Sequence, residues 1–362
     1  MQDTAEQQTV LTLATQAHVD VSFATADLYL SIDDFAERIL KPAMNNLAGA
    51  VAVDLMTCVD TGFIPVPTGG PASSLTALTG GACNIVANLN GSILSSPTTT
   101  TFLQANAFLS DNSAPFGRYM VVDPWTEAIT VSQLSGLFNP SQAISRQYET
   151  GQMKSALGFD WFMDQTVIKH TTGSYNGAAT VNGANQTGTS LTVTAISGTL
   201  NAGDIITLGT AGNANAVLAV NRVTKQSTGK QRQFVVTANV ASGATTIPIY
   251  PSIVPSISGN AVQYQTVNQS PATGAAVNLF MPASGLYRKA FGYAPKAITM
   301  ASGDLPIPRG NVDAARAKYD NVSLRMATQW QVGTDQEITR LDTLYGGLVV
   351  RPEWVCSVAD TI

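Results

Sequence analysis

Apolar and polar positions alternate loosely from Thr9 to Phe23, which predicts a half-exposed strand. The period then lengthens. At 100° per residue Ile32, Phe35, Ala36, Ile39, Ala43, Leu47 and Ala50 fall within about 60° of one line, while Asp33, Asp34, Glu37, Arg38, Lys41 and Asn45 fill the opposite face, so a long amphipathic helix is predicted. Ser31 can cap its first turn, with Asp34 three residues on as a capping-box variant. Asp34 with Arg38 and Glu37 with Lys41 are acid-before-base pairs at spacing four, worth about 0.3 kcal/mol each, and they describe a solvated face better than a catalytic carboxylate pair. Pro42 removes one backbone hydrogen bond inside this pattern, so the sequence allows either a bent spine helix or two shorter helices in succession. Beyond Leu47 the apolar residues spread through Val51, Val53 and Leu55, as in a helix end buried on several sides.

Gly62 to Pro97 is rich in Gly, Pro, Ser and Thr and predicts loop with short strands. Helical patterns return at Thr100 to Leu109, Thr126 to Phe138 and Ser141 to Gly151, with GRYMVVDP (Gly117 to Pro124) as a short buried strand between them. The texture changes abruptly near His170. From Thr171 to Phe280 short β-branched runs (SLTVTAI, DIITL, NAVLAVNRVT, RQFVVTANV, TTIPIY) are separated by Gly, Asn, Pro and Ser, the pattern of an all-β sandwich or barrel. Helical patterns resume only faintly after it, and strands at Ser323 to Val332 and Glu337 to Leu348 close the chain. The whole reads as an α+β body with a nested β module.

Only 12% of the 362 residues are charged, about half the usual share, and so thin a charged surface fits either large assembly interfaces or a Ser/Thr-rich globular exterior. A net charge of −5 argues against a protein that grips phosphates. The first basic residue is Arg38 and no run of about 18 apolar residues occurs, so neither secretion nor membrane insertion is expected. Cys58, Cys83 and Cys356 are odd in number and far apart, which suggests buried free thiols and no disulfide framework or zinc site. His18 and His170 form no HExxH, and a lone histidine reads as a satisfied structural residue. There is no GxSxG or GxGxxG, and STGKQ (Ser227 to Gln231) lacks both the first Gly and the Ser or Thr of a phosphate loop. No catalytic residue, metal or cofactor is expected. The β module holds just five charged residues, Asp204, Arg222, Lys225, Lys230 and Arg232, a balance of +3 against −8 elsewhere. Such charges could steer contacts between subunits; alternatively the basic ones only keep the module soluble.

Five blocks carry a resemblance in one order: SFATADLYLSIDDFAERILKPAM (Ser22 to Met44), VVDPWTEAITVSQLSGLFNPSQAISRQYETG (Val121 to Gly151), ALGFDWFMDQTVIKHTTGSYNG (Ala156 to Gly177), KQSTGKQRQFVVTANV (Lys225 to Val240) and RLDTLYGGLVVRPEWVC (Arg340 to Cys356). The sequence resembles the major capsid (coat) protein of short-tailed phages of the Salmonella phage P22 type, most weakly at 62–97 and 282–312. The resemblance implies an HK97-type fold. Residues 1–60 would be the returning strand of an extended loop plus the spine helix, 61–160 the first part of an axial domain, 161–278 an inserted β-barrel-like domain, and 279–362 the rest of the axial domain with closing strands of the peripheral one. It further implies a homo-oligomer of hexamers and pentamers in an icosahedral virion shell, a scaffolding protein, a portal protein, DNA held by enclosure, and residence in the host cytoplasm before assembly. In that family several dozen residues, an arm and one strand of a long hairpin loop, precede the position where this sequence begins, so the chain alone is expected to fold but assemble poorly. Two other readings stay open: a bacterial surface adhesin or carbohydrate-binding β protein, which should carry an export signal, and a glycan-acting enzyme, which should pair carboxylates where the β module offers only Asp204.

Overall fold

The computed structural model describes residues 10–24, 36–61, 85–86, 97–134, 153–256, 264–310 and 313–361. The chain forms two compact units, one of Met1–Met56, Ile64–Leu75 and Thr299–Leu348, the other of Thr57–Phe63, Thr76–Ile298 and Val349–Ile362.

The first unit is built on the long strand Gln336–Val349. Thr15–Ala24 runs antiparallel to it in unbroken register, from Thr15 opposite Tyr345 to Ala24 opposite Gln336, and alternates burial as its polar pattern predicts. Val322–Gln331 pairs along the other edge and carries Asp313–Tyr319 outermost, while Ile298–Gly303 joins Gln336–Val349 as well. Asp342 is fully buried in this sheet. Arg325 grips it with two nitrogens (3.0 and 2.5 Å), and the Gln16 side chain donates to it at 2.8 Å, so charge and strand pairing fix one register.

The spine helix α1 spans Lys41–Thr61 and follows a π-helical turn, Ala36–Leu40, without interruption. Pro42 lies just past that turn. A proline has no N–H for the carbonyl four residues back, and a widened turn is a known way for a helix to pass such a position without breaking. Ala43 and Leu47 are buried, Ile39 is half-buried and Glu37, Arg38, Lys41 and Asn45 are exposed, as predicted, whereas Ala50 faces solvent. Toward its far end Cys58, Val59 and Asp60 are all buried. The predicted cap at Ser31 lies outside the described residues, as do nearly all of the 62–97 loop and the helix expected at 141–151.

In the second unit a seven-stranded sheet runs in the order Ile85–Val86, Val355–Thr361, Leu286–Tyr293, Arg118–Val122, Phe159–Met163, Ser155–Ala156, with Lys169–Thr171 paired to another stretch of Leu286–Tyr293. The helix α2 (Thr99–Asp111) packs Phe102, Ala105 and Leu109 on Met120, Phe159 and Trp161 of this sheet, Phe102 meeting Trp161 edge-on at 4.8 Å. Thr98 and Thr101 close a reciprocal capping box at its start. Past its other end the buried guanidinium of Arg118 donates to the carbonyls of Ala114 and Pro115, to that of Asn106 within the helix and to the Ser110 hydroxyl, tying the turn after α2 back onto the helix. The helix α3 (Pro124–Leu134) starts on a proline, with Asp123 accepting from the Thr126 amide at 3.2 Å.

The inserted module is a closed barrel. Strands Val277–Leu279, Ile205–Leu208, Gln233–Val236, Thr246–Ile253 and Gly188–Thr192 are neighbours in that order. Thr180 bridges Ala276 beside the first and Val181 bridges Val193 beside the last, so one short segment joins both edges. Its core of Val, Ile and Leu surrounds Phe234 and Tyr175, whose hydroxyl donates to the Val277 carbonyl at 2.8 Å. Phe159–Met163 and Lys169–Thr171 pair within the seven-stranded sheet, and the strands of the barrel follow them in the chain. The faint helical pattern after Pro282 is strand instead, at Leu286–Tyr293 and Ile298–Gly303. In the first of these Ala290, Phe291 and the polar Lys289 are all buried, which erases the period-two signal.

Replacing Arg118 by Met should leave the buried carbonyls of Ala114 and Pro115 without this donor and destabilise the protein by about 2–4 kcal/mol, read from urea unfolding with an unchanged m-value.

Candidate functional site at the root of the barrel

The last turn of α1, the strand Lys169–Thr171, the turn entering Ile205–Leu208 and the strand Leu286–Tyr293 each contribute one ionisable side chain to a single buried cluster. Asp60, His170, Asp204 and Lys289 are between 0% and 6% exposed. His170 stands between the two carboxylates, its Nδ1 3.1 Å from Asp60 Oδ2 and its Nε2 2.9 Å from Asp204 Oδ1. The Lys289 ammonium bonds the other oxygen of Asp60. The second oxygen of Asp204 accepts from the backbone N–H groups of Asn201 (2.7 Å) and Gly173 (3.0 Å), the two places where the chain enters and rounds the base of the barrel.

Gly203 makes this approach possible. Its φ of +93° lies where side chains are strained, and a Cβ there would stand 2.9 Å from both Asp60 Oδ2 and His170 Cε1.

Burial by itself would push the Asp60 carboxyl up, but Lys289 and then His170 hold it below the usual range. Burial and the Lys289 charge press the His170 imidazole down, yet its bonds to Asp204 and Asp60 leave it raised above its ordinary value. The signs follow. A raised histidine stabilises the fold below its unfolded value and loses that contribution as pH rises through the folded one; a lowered carboxylate stabilises above its unfolded value and loses it on acidification through the folded one. The cluster is therefore strongest in a window bounded on both sides.

The five charges singled out in the β module divide. Asp204 is wholly enclosed in this cluster and is no surface contact. Arg222 pairs with Glu353, and Lys230 lies 3.6 Å from Asp111, both exposed, while Lys225 and Arg232 are half-buried. Sequence reading set His170 aside as a satisfied structural residue; satisfied it is, by two acids distant in sequence that no spacing rule could join to it. Among the described residues no group of three or more His, Cys, Asp or Glu is placed to hold a metal, and no helix is long and apolar enough to cross a membrane. Of the three cysteines, Cys58 and Cys356 are buried free thiols as expected, pushed up by burial to about 11 and about 12; Cys83 lies outside the described residues.

Helices, open sheets and a barrel seated on buried ions make this an α+β protein. The family model of the P22 coat protein, gene protein 5, matches residues 100–357, and the chain belongs to that family. It is thus a major capsid protein of a tailed phage, a component of the virion that forms an oligomeric shell, with an α+β fold. Among solved structures it is similar to the capsid of cyanophage P-SCSP1u (11% identity over 97% of this chain and 73% of that one, TM-score 0.42), that of Ralstonia phage GP4 (10%, 96% and 73%, 0.42) and a protein of Mycobacterium phage Che8 (11%, 99% and 76%, 0.39). A comparison with curated protein sequences finds no match.

Gly203→Ala should lower the thermal midpoint by several degrees, consistent with about 1–3 kcal/mol of strain and displaced contacts. Cys58 and Cys356 should resist a thiol reagent at pH 8 in the native protein and react at once in urea.

Proposed function

We propose that this chain builds a closed icosahedral shell of hexamers and pentamers around a scaffolding protein, with a portal protein at one vertex, after accumulating in the host cytoplasm. Membership of the coat protein family over residues 100–357 is the observation that carries this reading. A closed lattice sums many weak contacts, so no single interface needs high affinity. DNA is held by enclosure. A mildly acidic subunit, at −5, does not cling to the polymer it must later release. In this reading the protein's work is mechanical and it turns over no substrate.

The basic residues of the barrel are the parts we assign to subunit contacts. Arg222 and Lys230 are exposed, and Val223 beside Arg222 is 78% exposed, a combination suited to an acidic neighbouring surface with some apolar area.

Sedimentation and negative-stain electron microscopy, with and without the scaffolding protein, test the assignment. Closed shells that need the scaffold are the expected result; monodisperse monomers in every condition would return the surface-protein reading. Charge reversal at Arg222, Lys225, Lys230 and Arg232 together should cut shell yield at least tenfold while the soluble subunit loses no more stability than its two ion pairs there, Arg222 with Glu353 and Lys230 with Asp111, account for, about 2 kcal/mol. An unchanged yield removes these residues from the contact.

A further inference from the structure

The barrel and the body each own a core. Nineteen buried apolar residues, from Tyr175 to Val277, pack on one another inside the barrel, and a separate set gathers around Phe102, Met120 and Trp161 in the body. Between them lies a smaller apolar group, Ile205, Val235, Met281, Tyr287 and Ala359. Beside it sits the ion cluster. We propose that Asp60, His170, Asp204 and Lys289 form a protonation-controlled latch, closed when both ring nitrogens of His170 carry protons and open when one is lost, so that the root of the barrel parts from α1 and from Leu286–Tyr293 while the barrel stays folded.

Hydrogen-bond geometry sets the closed state. Both nitrogens of His170 face ionised carboxylates, which can only accept, and a neutral imidazole has a single N–H to give. With a doubly protonated ring the cluster holds two negative and two positive charges, all enclosed. Loss of one proton turns a donor into a lone pair aimed at an oxygen 3 Å away and leaves an unbalanced buried negative charge. Water entry relieves both faults, and the contact surface is where it can enter.

The groups around the ring belong to different elements, which is why its proton matters to their docking. Asp60 comes from α1, Asp204 from the barrel and Lys289 from Leu286–Tyr293. On that same strand Tyr287 stands opposite His170 and directs its hydroxyl to the Pro282 carbonyl, and Arg288 is paired with Asp123 at 3.4 Å. Lys169, next to His170, is exposed. None of these can replace the lost charge without moving.

His170 and His18 are the two histidines of the chain, so selective ¹⁵N labelling of histidine reads the ring directly. Both nitrogens of His170 should be protonated at pH 6.5 and stay so into neutral pH. Hydrogen exchange supplies the second readout. The amides of Gly173 and Asn201, which donate to Asp204, should exchange about 100-fold faster than the chemical pH trend once the ring is neutral, a factor in keeping with loss of one buried charge partner. Those of Val193 and Val277 inside the barrel should hold their protection. Asp204→Asn preserves the shape of the cluster and balances it with a neutral ring, so it should abolish the extra pH response. His170→Gln should show the fast exchange at every pH. A neutral imidazole at pH 6.5, joint exchange of Gly173 and Val277, or an Asp204→Asn variant that keeps the response would each overturn the latch. If His170→Gln does not fold, the ring spectrum and Asp204→Asn still decide.

Discussion

Two carboxylates removed from water need two cations within reach, and at the base of the barrel that requirement binds four parts of the chain to one another. Asp60, His170, Asp204 and Lys289 are separated by as many as 229 positions in sequence, the span from Asp60 to Lys289, yet each is nearly inaccessible to solvent. A pair of this kind contributes little net stability compared with a well-packed apolar substitute, but half of one is very costly, so the arrangement specifies a docking geometry. A barrel with a self-contained core could sit on its body at many angles. The ions select one.

The rest of the second unit serves that docking. α2 and the seven-stranded sheet share an apolar core that makes Leu286–Tyr293 a rigid support for Lys289, and the pairing of Lys169–Thr171 with the same strand places His170 beside it. Gly203 lets the turn entering Ile205–Leu208 descend onto the ring. The barrel is thus a part with its own core on a polar seat.

Much of this architecture was legible in the sequence. The alternation at Thr9–Phe23, the buried strand at Gly117–Pro124, the helix at Thr100–Leu109 and the closing strands all appear within a few residues of where the apolar pattern put them. The β module was plain from its lack of charge and its turn residues. What escaped was Leu286–Tyr293, enclosed along most of its length and interrupted by a lysine whose partner is an aspartate in α1. Asp204 was picked out as a charge in a charge-poor module and assigned to the surface; its burial is set by His170 and by two backbone amides, relations that a linear pattern does not contain.

A double-mutant cycle measures the central claim most directly. Urea unfolding of Lys289→Met, Asp60→Leu and the combined variant gives three free-energy differences. If matched buried charges fix the barrel on its body, each single change costs about 3 kcal/mol or more and the combination, which leaves His170 and Asp204 balanced, costs far less than their sum. Costs that simply add would contradict it.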